Sequence, residues 1–426
     1  MKTWFNKRFV FVVLFLVLAS IPIGISFGKY VWSGDAAKFD LDIKGKYCIL
    51  ETGTEFNNHL SAADSYAGRD IYFETYDNYP NATRGKFVAN VDKDHTGTIK
   101  MYYYSSRIYV LAEKQIYANP DCSHMFKGRE AKIYYKNFDT TLTTNMAYMF
   151  SGCNSSVEPL DFSKYDTSNV TNMSHMFYNT YIRSLDLSSF DTSNVRDMSY
   201  MFANGQYMSS YLKSINISSF KTSNVTNMAG LFARCSKLEN VDLTTFDTSN
   251  VTNMSYMFEL CDGIDTFDIS TLNTAKVTNM SYMFSNIDTI TEIDLHHLSN
   301  ASCSNYTGMF WSCNKLRSIH ICGFVSKDRA SIGNMFTDYS NSETDPLYIY
   351  VQKGMSLAKT GKNWSEVNLG TYIKGVLGTE FNYWDSHMKA GDAFWVCSKH
   401  TGTQSLTNSV NVNVDSAYGF GVDPAA

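Results

Sequence analysis

The phrase FDTSNVTNMSYMF at residues 246–258 appears almost unchanged as FDTSNVRDMSYMF at residues 190–202, and in looser form several more times. Its Met-Phe or equivalent dipeptide ends at Phe126, Phe150, Phe177, Phe202, Phe232, Phe258, Phe284, Phe310 and Phe336, with spacings of 24, 27, 25, 30, 26, 26, 26 and 26 residues. So regular a period is the signature of stacked repeats, because one such unit cannot bury its apolar face alone. The phrase holds no obvious reactive group. It recurs because every copy has the same packing task, and its Met and Phe are read as core, the sulfurs filling gaps against aromatic rings.

Each copy has two parts. A short alternating run comes first, as in IRSLDLSSF, LKSINISSF, LENVDLTTF and ITEIDLHHL. Leu185/Leu187, Ile215/Ile217, Val241/Leu243 and Ile293/Leu295 point one way and Asp186 and Asn216 the other, as strand geometry requires. In TSNVTNMSYMF, the apolar Val251, Met254, Met257 and Phe258 fall at i, i+3, i+6 and i+7, the spacing of a helical face. Asp247 and Thr248 stand where they could cap such a turn. Small residues after the first Met (Ser174, Ser199, Ala229, Ser255, Ser281) predict close approach of neighbouring coils. Together these features predict an α/β repeat solenoid of about nine coils of short strand plus short helical turn, with β-rich flanking regions.

Asn145, Asn172, Asn227, Asn253, Asn279 and Asn305 share one register, with Asp197 in the same place. They read as a ladder of side-chain amides bonding turn backbone; the competing reading is glycosylation, since NVT and NMS are formal acceptors. The nine cysteines are dispersed and contain no CxxC pair, so zinc is unsupported. Cys153, Cys235, Cys261 and Cys313 each follow a repeat Phe by three residues. Buried packing and a Cys235–Cys261 disulfide both fit that placement.

The LDLSSFDTSNV and TNMSYMF phrases, with Cys after Met-Phe, resemble the BspA-like leucine-rich-repeat surface proteins of bacteria, over roughly residues 121–351. The resemblance implies an extracellular, envelope-attached protein, some relatives acting as adhesins toward host, matrix or other bacteria. It supplies no ligand-binding residues to carry over. No LPxTG-type sorting motif is present, which leaves anchoring to the N-terminal segment or release after cleavage.

Lys2, Lys7 and Arg8 precede an uncharged apolar run over residues 9–27, so residues 1–34 read as a signal peptide or N-terminal membrane anchor. Either way the bulk is expected outside the cell, at the surface or membrane-anchored. Residues 35–119, rich in tyrosine and in runs such as KFVANV and TIKMYYYSSRIYVLA, read as a β-rich cap on the first coil or as a small independent domain. The repeats are placed at 120–352, with DPLYIYVQKGM as a closing strand, and a C-terminal β-rich region at 353–426.

A net charge of -5 and the absence of a basic stripe give no reason to expect nucleic acid. No GxSxG elbow, phosphate loop or metal-ligand spacing is present, so the sequence points to no enzyme, cofactor or metal. His296, His297 and His320 read as strand decoration rather than ligands. The candidate partner-binding face is the polar strand strip of Asp186, Asn216, Asp242, Asp268 and Asp294, with Asp161 in the same column. Like charges so stacked are hydrated, bonded to turn amides, or relieved by a cation or a basic partner. The function expected is an exported binding protein presenting this strip to an extracellular protein or glycan; the alternative is a structural stalk whose flanks make the contacts.

Overall fold

The computed structural model describes residues 48–62, 69–130, 132–154, 161–264, 268–295, 298 and 302–320, and the backbone of strands 348–352 and 393–397. The segment read as signal or anchor, and most of the C-terminal region, lie outside the described residues. Among the described residues no helix is long and apolar enough to cross a membrane.

The expected solenoid of strand plus helical turn is not what the chain forms. The α-helix among the described residues is α1, Gly53–Ala62, which precedes the repeats; apart from a 3-10 turn at Ala82–Arg84 the rest is strands, bridges and turns. The reason lies in the backbone of the phrase. Tyr256 and Leu260 adopt φ of 59° and 56°, and the residues in register with Tyr256, namely His124, Tyr148, His175, Tyr200, Gly230, Tyr282 and Gly308, are left-handed too. A helix needs φ near −63° at every residue, so a left-handed residue every four breaks it. The i, i+3, i+7 spacing nonetheless buries Val251, Met254, Met257 and Phe258 completely, because successive turns return the chain to the same side.

What the left-handed residues achieve is visible in the hydrogen bonds. The N–H groups of Met254, Tyr256, Phe258 and Leu260 donate to the carbonyls of Asn279, Ser281, Met283 and Ser285 in the next coil, each at 2.9 Å. The intervening Met257, Glu259 and Cys261 donate three residues back within their own coil, at 3.1–3.3 Å. Ser255 N–H donates to Asn253 Oδ1, so every backbone donor from Met254 to Cys261 is paired. The register is carried by parallel bridges running Asp121, Asn145, Asn172, Asp197, Asn227, Asn253, Asn279 and Asn305. These asparagines form the ladder expected of them: each side-chain oxygen accepts the N–H two residues on, and Asn145 and Asn227 also donate to the carboxylates of Asp121 and Asp197.

Phe126, Phe150, Phe177, Phe202, Phe232, Phe258, Phe284 and Phe310 make one buried column, with centroids 5.5–5.9 Å apart and rings within 24° of parallel. Thr248 does not cap a helix. Its hydroxyl, wholly buried, donates to Asn273 O at 2.9 Å and accepts from Asn273 N at 2.7 Å in the next coil. Thr140, Thr167 and Thr192 repeat both bonds. Asp247 instead accepts from Ser249 N within its own turn.

The alternating runs give only three-residue strands. β9 (Ser184–Asp186) pairs in parallel with β10 (Ser214–Asn216), and β11 (Glu292–Asp294) with β12 (Ser318–His320). Leu187, Ile217, Leu243 and Leu295 are buried as their alternation requires, while Ile215 and Val241 are half-buried. The expected closing strand is β13 (Tyr348–Gln352), which pairs with β12 and with β14 (Ala393–Cys397).

Around the start of the repeats, β1 (Cys48–Ile49), β6 (Ile116–Tyr117) and β8 (Phe138–Asp139) form a small parallel sheet. A five-stranded sheet runs β3 (Lys86–Asn90), β4 (Ile99–Tyr104), β5 (Arg107–Ala112), β2 (Ile71–Thr75), β7 (Ile133–Tyr134). Helix α1 starts on a capping box: Thr52 hydroxyl and N–H reach Glu55 Oε2, and Glu55 N–H returns to the Thr52 hydroxyl. Its first N–H, from Gly53, donates to Asp121 O of the first coil at 2.8 Å. Phe56 and Phe73 stand edge-on to Phe126 at 6.2 Å, closing the phenylalanine column. Helix α1 and Phe73 therefore lie against the first coil.

The Thr248 hydroxyl bonds both backbone groups of Asn273, so Thr248→Val leaves two part-buried backbone groups without that partner and is expected to cost about 1–3 kcal/mol. Thr248→Ser keeps both bonds and is expected to stay within about 1 kcal/mol of the native chain; urea unfolding of the two variants checks the difference.

Candidate functional site

Two surfaces of the repeats could meet a partner. The first is the aspartate strip. Asp186, Asn216, Asp242, Asp268 and Asp294 are all exposed. Parallel pairing sets Asn216 beside Asp186, and the Asn216 amide donates to the Asp186 carboxylate at 3.0 Å. Asp294 lies in register with His320, while Asp242 lies outside the named strands. His296 and His297 fall outside the described residues.

The carboxylates are engaged by their own turns. Asp186 accepts from Ser188 N, Asp242 from the N–H and hydroxyl of Thr244, and Asp268 from the N–H and hydroxyl of Ser270. Asp161 accepts from Ser163 N in the same way. Hydrogen bonds from Ser188 and Thr244 hold the Asp186 and Asp242 carboxyls below the usual carboxylate range. Of the roles the sequence left open for this column, bonding to turn amides is the one these distances describe. Among the described residues no group of three His, Cys, Asp or Glu is placed to hold a metal ion.

The second surface escaped the sequence reading. His124, Tyr148, His175 and Tyr200 occupy the first left-handed position of consecutive coils, half-buried, and their rings stack at 4.8, 4.3 and 5.0 Å. Gly230 interrupts the row, Tyr256 and Tyr282 resume it at 5.0 Å, and Gly308 follows. The rings of Tyr200 and Tyr282 cover the two glycines. Beside the interruption, Arg234 and Glu259 form an ion pair of 2.8 Å between adjacent coils. Both histidines keep Nδ1 buried and unpartnered, and burial pushes their imidazoles below the ordinary value. They present neutral ring edges among phenol edges.

The clue in the sequence was glycine. A position occupied by Tyr, His and Gly in turn is one whose backbone is left-handed, since a missing Cβ is what that conformation favours. Gly128, Gly152, Asn179 and Asn286 mark the second left-handed position of their coils in the same manner.

The described cysteines hold no candidate chemistry. Cys48, Cys122, Cys153, Cys235, Cys261, Cys303 and Cys313 are free and buried, so the Cys235–Cys261 disulfide is not formed. Cys153, Cys235, Cys261 and Cys313 donate their thiols to the carbonyls of Phe126, Phe202, Phe232 and Phe284 in the preceding coil, at 2.9–3.1 Å. Burial pushes Cys153, Cys235 and Cys313 up to about 12, far from the thiolate a nucleophile needs.

Against this geometry, the family model described as "Mycoplasma protein of unknown function, DUF285" matches the chain twice, at residues 120–219 and 206–322. The matches coincide with the coils joined by the asparagine ladder. No curated protein and no solved structure matches the chain.

Asn216 shows how charge in the aspartate strip can be separated from turn capping, because it stands in the column and accepts from Ser218 as the aspartates do. Replacing Asp186, Asp242 and Asp268 together by Asn is therefore expected to leave the thermal midpoint close to native, whereas the triple Ala variant loses about 1 kcal/mol per site. Thermal unfolding of the two variants checks this, and the Asn variant is the proper probe of the strip in any binding assay.

Proposed function

We propose that the chain is an exported bacterial cell-surface binding protein, adhesin-like, that presents one long face of its repeats to an extracellular protein or glycan. The match to the Mycoplasma family agrees with a bacterial chain, and the likeness of the repeat phrases to BspA-like surface proteins supplies the finer assignment. The apolar N-terminal run supports export.

One observation carries the reading. The first left-handed position is glycine in two coils, and at Gly230 the backbone ladder is kept, its N–H donating to Ser255 O. Yet six coils place His or Tyr there, at roughly 1–2 kcal/mol of backbone strain each. Ring stacking returns about 0.5–1.5 kcal/mol per pair. Packing alone thus gives little net reason to prefer a ring, and strained side chains of this sort gather at sites of recognition. The face proposed is the row of ring edges, with the aspartate strip as a further polar surface. The alternative, a structural stalk whose flanks make the contacts, needs no such rings.

Replacing Tyr148, Tyr200, Tyr256 and Tyr282 together by Gly is expected to keep the thermal midpoint within a few degrees of native and to lower attachment at least tenfold. Binding of the purified chain to matrix proteins, glycans and bacterial surfaces measures this. Full attachment by a folded variant would transfer the role to the flanks and favour the stalk.

A further inference from the structure

We propose that Glu51, His59 and His95 form a proton-operated latch that sets how firmly α1 is held over the first coil of the repeats. Glu51 lies at the joint between sheet and helix. Its N–H donates to Val91 O, the preceding Leu50 N–H donates to Tyr117 O, and the following Thr52 is the helix cap. The residue is 2% exposed, and neither carboxylate oxygen makes a hydrogen bond. An unpaired carboxylate in such a place is costly. What stands nearest are two imidazoles: His59 Nε2, from the second turn of α1, lies 3.4 Å from Oε2, and His95 Nδ1, from the loop after β3, lies 3.8 Å from the same oxygen.

The other charges near this joint have partners of their own or lie in solvent. From α1, Glu55 is engaged by Thr52 in the capping box. From the loop, Asp92 accepts from Thr96 N, the Thr96 hydroxyl and Gly97 N. Lys93 and Asp94 are exposed, and His95 Nδ1 also lies 3.3 Å from Asn90 O. Arg129 of the first coil holds α1 through Asn57, Leu60 O and Ser61. No three of these groups converge as a metal cage. The species that can satisfy the Glu51 oxygens is a proton.

Burial pushes the Glu51 carboxyl up to about 7 from 4.5. The docked helix then holds this proton more tightly than the undocked one, so the Glu51 contribution is fully present below about pH 4.5 and is lost as pH rises through 7. Burial lowers His59 from 6.5. Its neutral form is the one the docked helix prefers, so that contribution is lost as pH falls below 6.5. Below pH 6.5 the two groups act in opposite directions, and above it Glu51 alone acts, so docking weakens as pH rises from 6.5 through 7. Loosening α1 bares the carbonyls of Asp121 and Ser123, which Gly53 and Thr54 now cover, together with the open edge of the phenylalanine column.

The test is hydrogen exchange of the α1 amides in the full chain between pH 5.5 and 8, corrected for intrinsic exchange. The expected result is an opening constant that rises severalfold, at most about tenfold per pH unit, up to about pH 7 and then levels. Glu51→Gln is expected to abolish that rise, and His59→Asn to keep it. A flat native profile, or an unchanged rise in Glu51→Gln, overturns the latch. Should Glu51→Gln fail to fold, carbon NMR of the native Glu51 carboxyl decides: a midpoint near 7 supports the proposal, and one at the ordinary glutamate value overturns it.

Discussion

The structure of the repeats depends on alternation within the peptide backbone. In each coil, every second N–H points along the stack to the next coil, and those between close short turns within their own. A helix would have spent all of its donors internally, leaving neighbouring coils joined by side chains alone. An extended strand would have joined the coils but could not have brought Val251, Met254, Met257 and Phe258 to one side. Left-handed residues four apart reconcile the two demands, and they account for both the ladder and the buried Met-Phe face.

That alternation also gives the stack a direction. From Met254 to Leu260 four peptide groups point forward, against the single Thr252 N–H that donates back to Thr226 O at 2.8 Å. The first coil consequently ends in unpaired carbonyls, which carry partial negative charge as the end of a helix does. The N-terminus of α1, with unpaired N–H groups of its own, is the natural cover for it. Gly53 is needed at the contact, because a Cβ there would strike the carbonyls of Cys122 and Ser123. The cap thus completes the hydrogen bonding of the stack as well as its apolar burial, and its hold on the first coil governs whether that edge is closed.

The repeat period, the burial of Met and Phe and the asparagine ladder were legible in the sequence, because each rests on residues recurring in one register. The local conformation was not. Val251, Met254 and Phe258 fit a helical face, and apolar spacing records which side a residue faces while leaving open how the backbone turns between. The glycines at 230 and 308, in line with Tyr200 and Tyr256, held the missing information. The threonine of DTSNV likewise reads as a cap, because Thr commonly occupies that place. Its real partner is 25 residues away, a separation that local sequence rules do not address.

The same separation of tasks explains why the surfaces of this chain differ in what they can tell about recognition. The buried Phe, Met, Cys and Thr side chains are dictated by the coil in front and the coil behind, so their regularity reports packing and nothing more. The aspartates are exposed, but their position is dictated by the turns they cap, and Asn216 serves as well. The left-handed ring positions alone tolerate the smallest residue and still carry the largest. At those positions the ladder does not dictate the side chain, and the presence of His or Tyr in place of Gly is the observation on which the proposed recognition face rests.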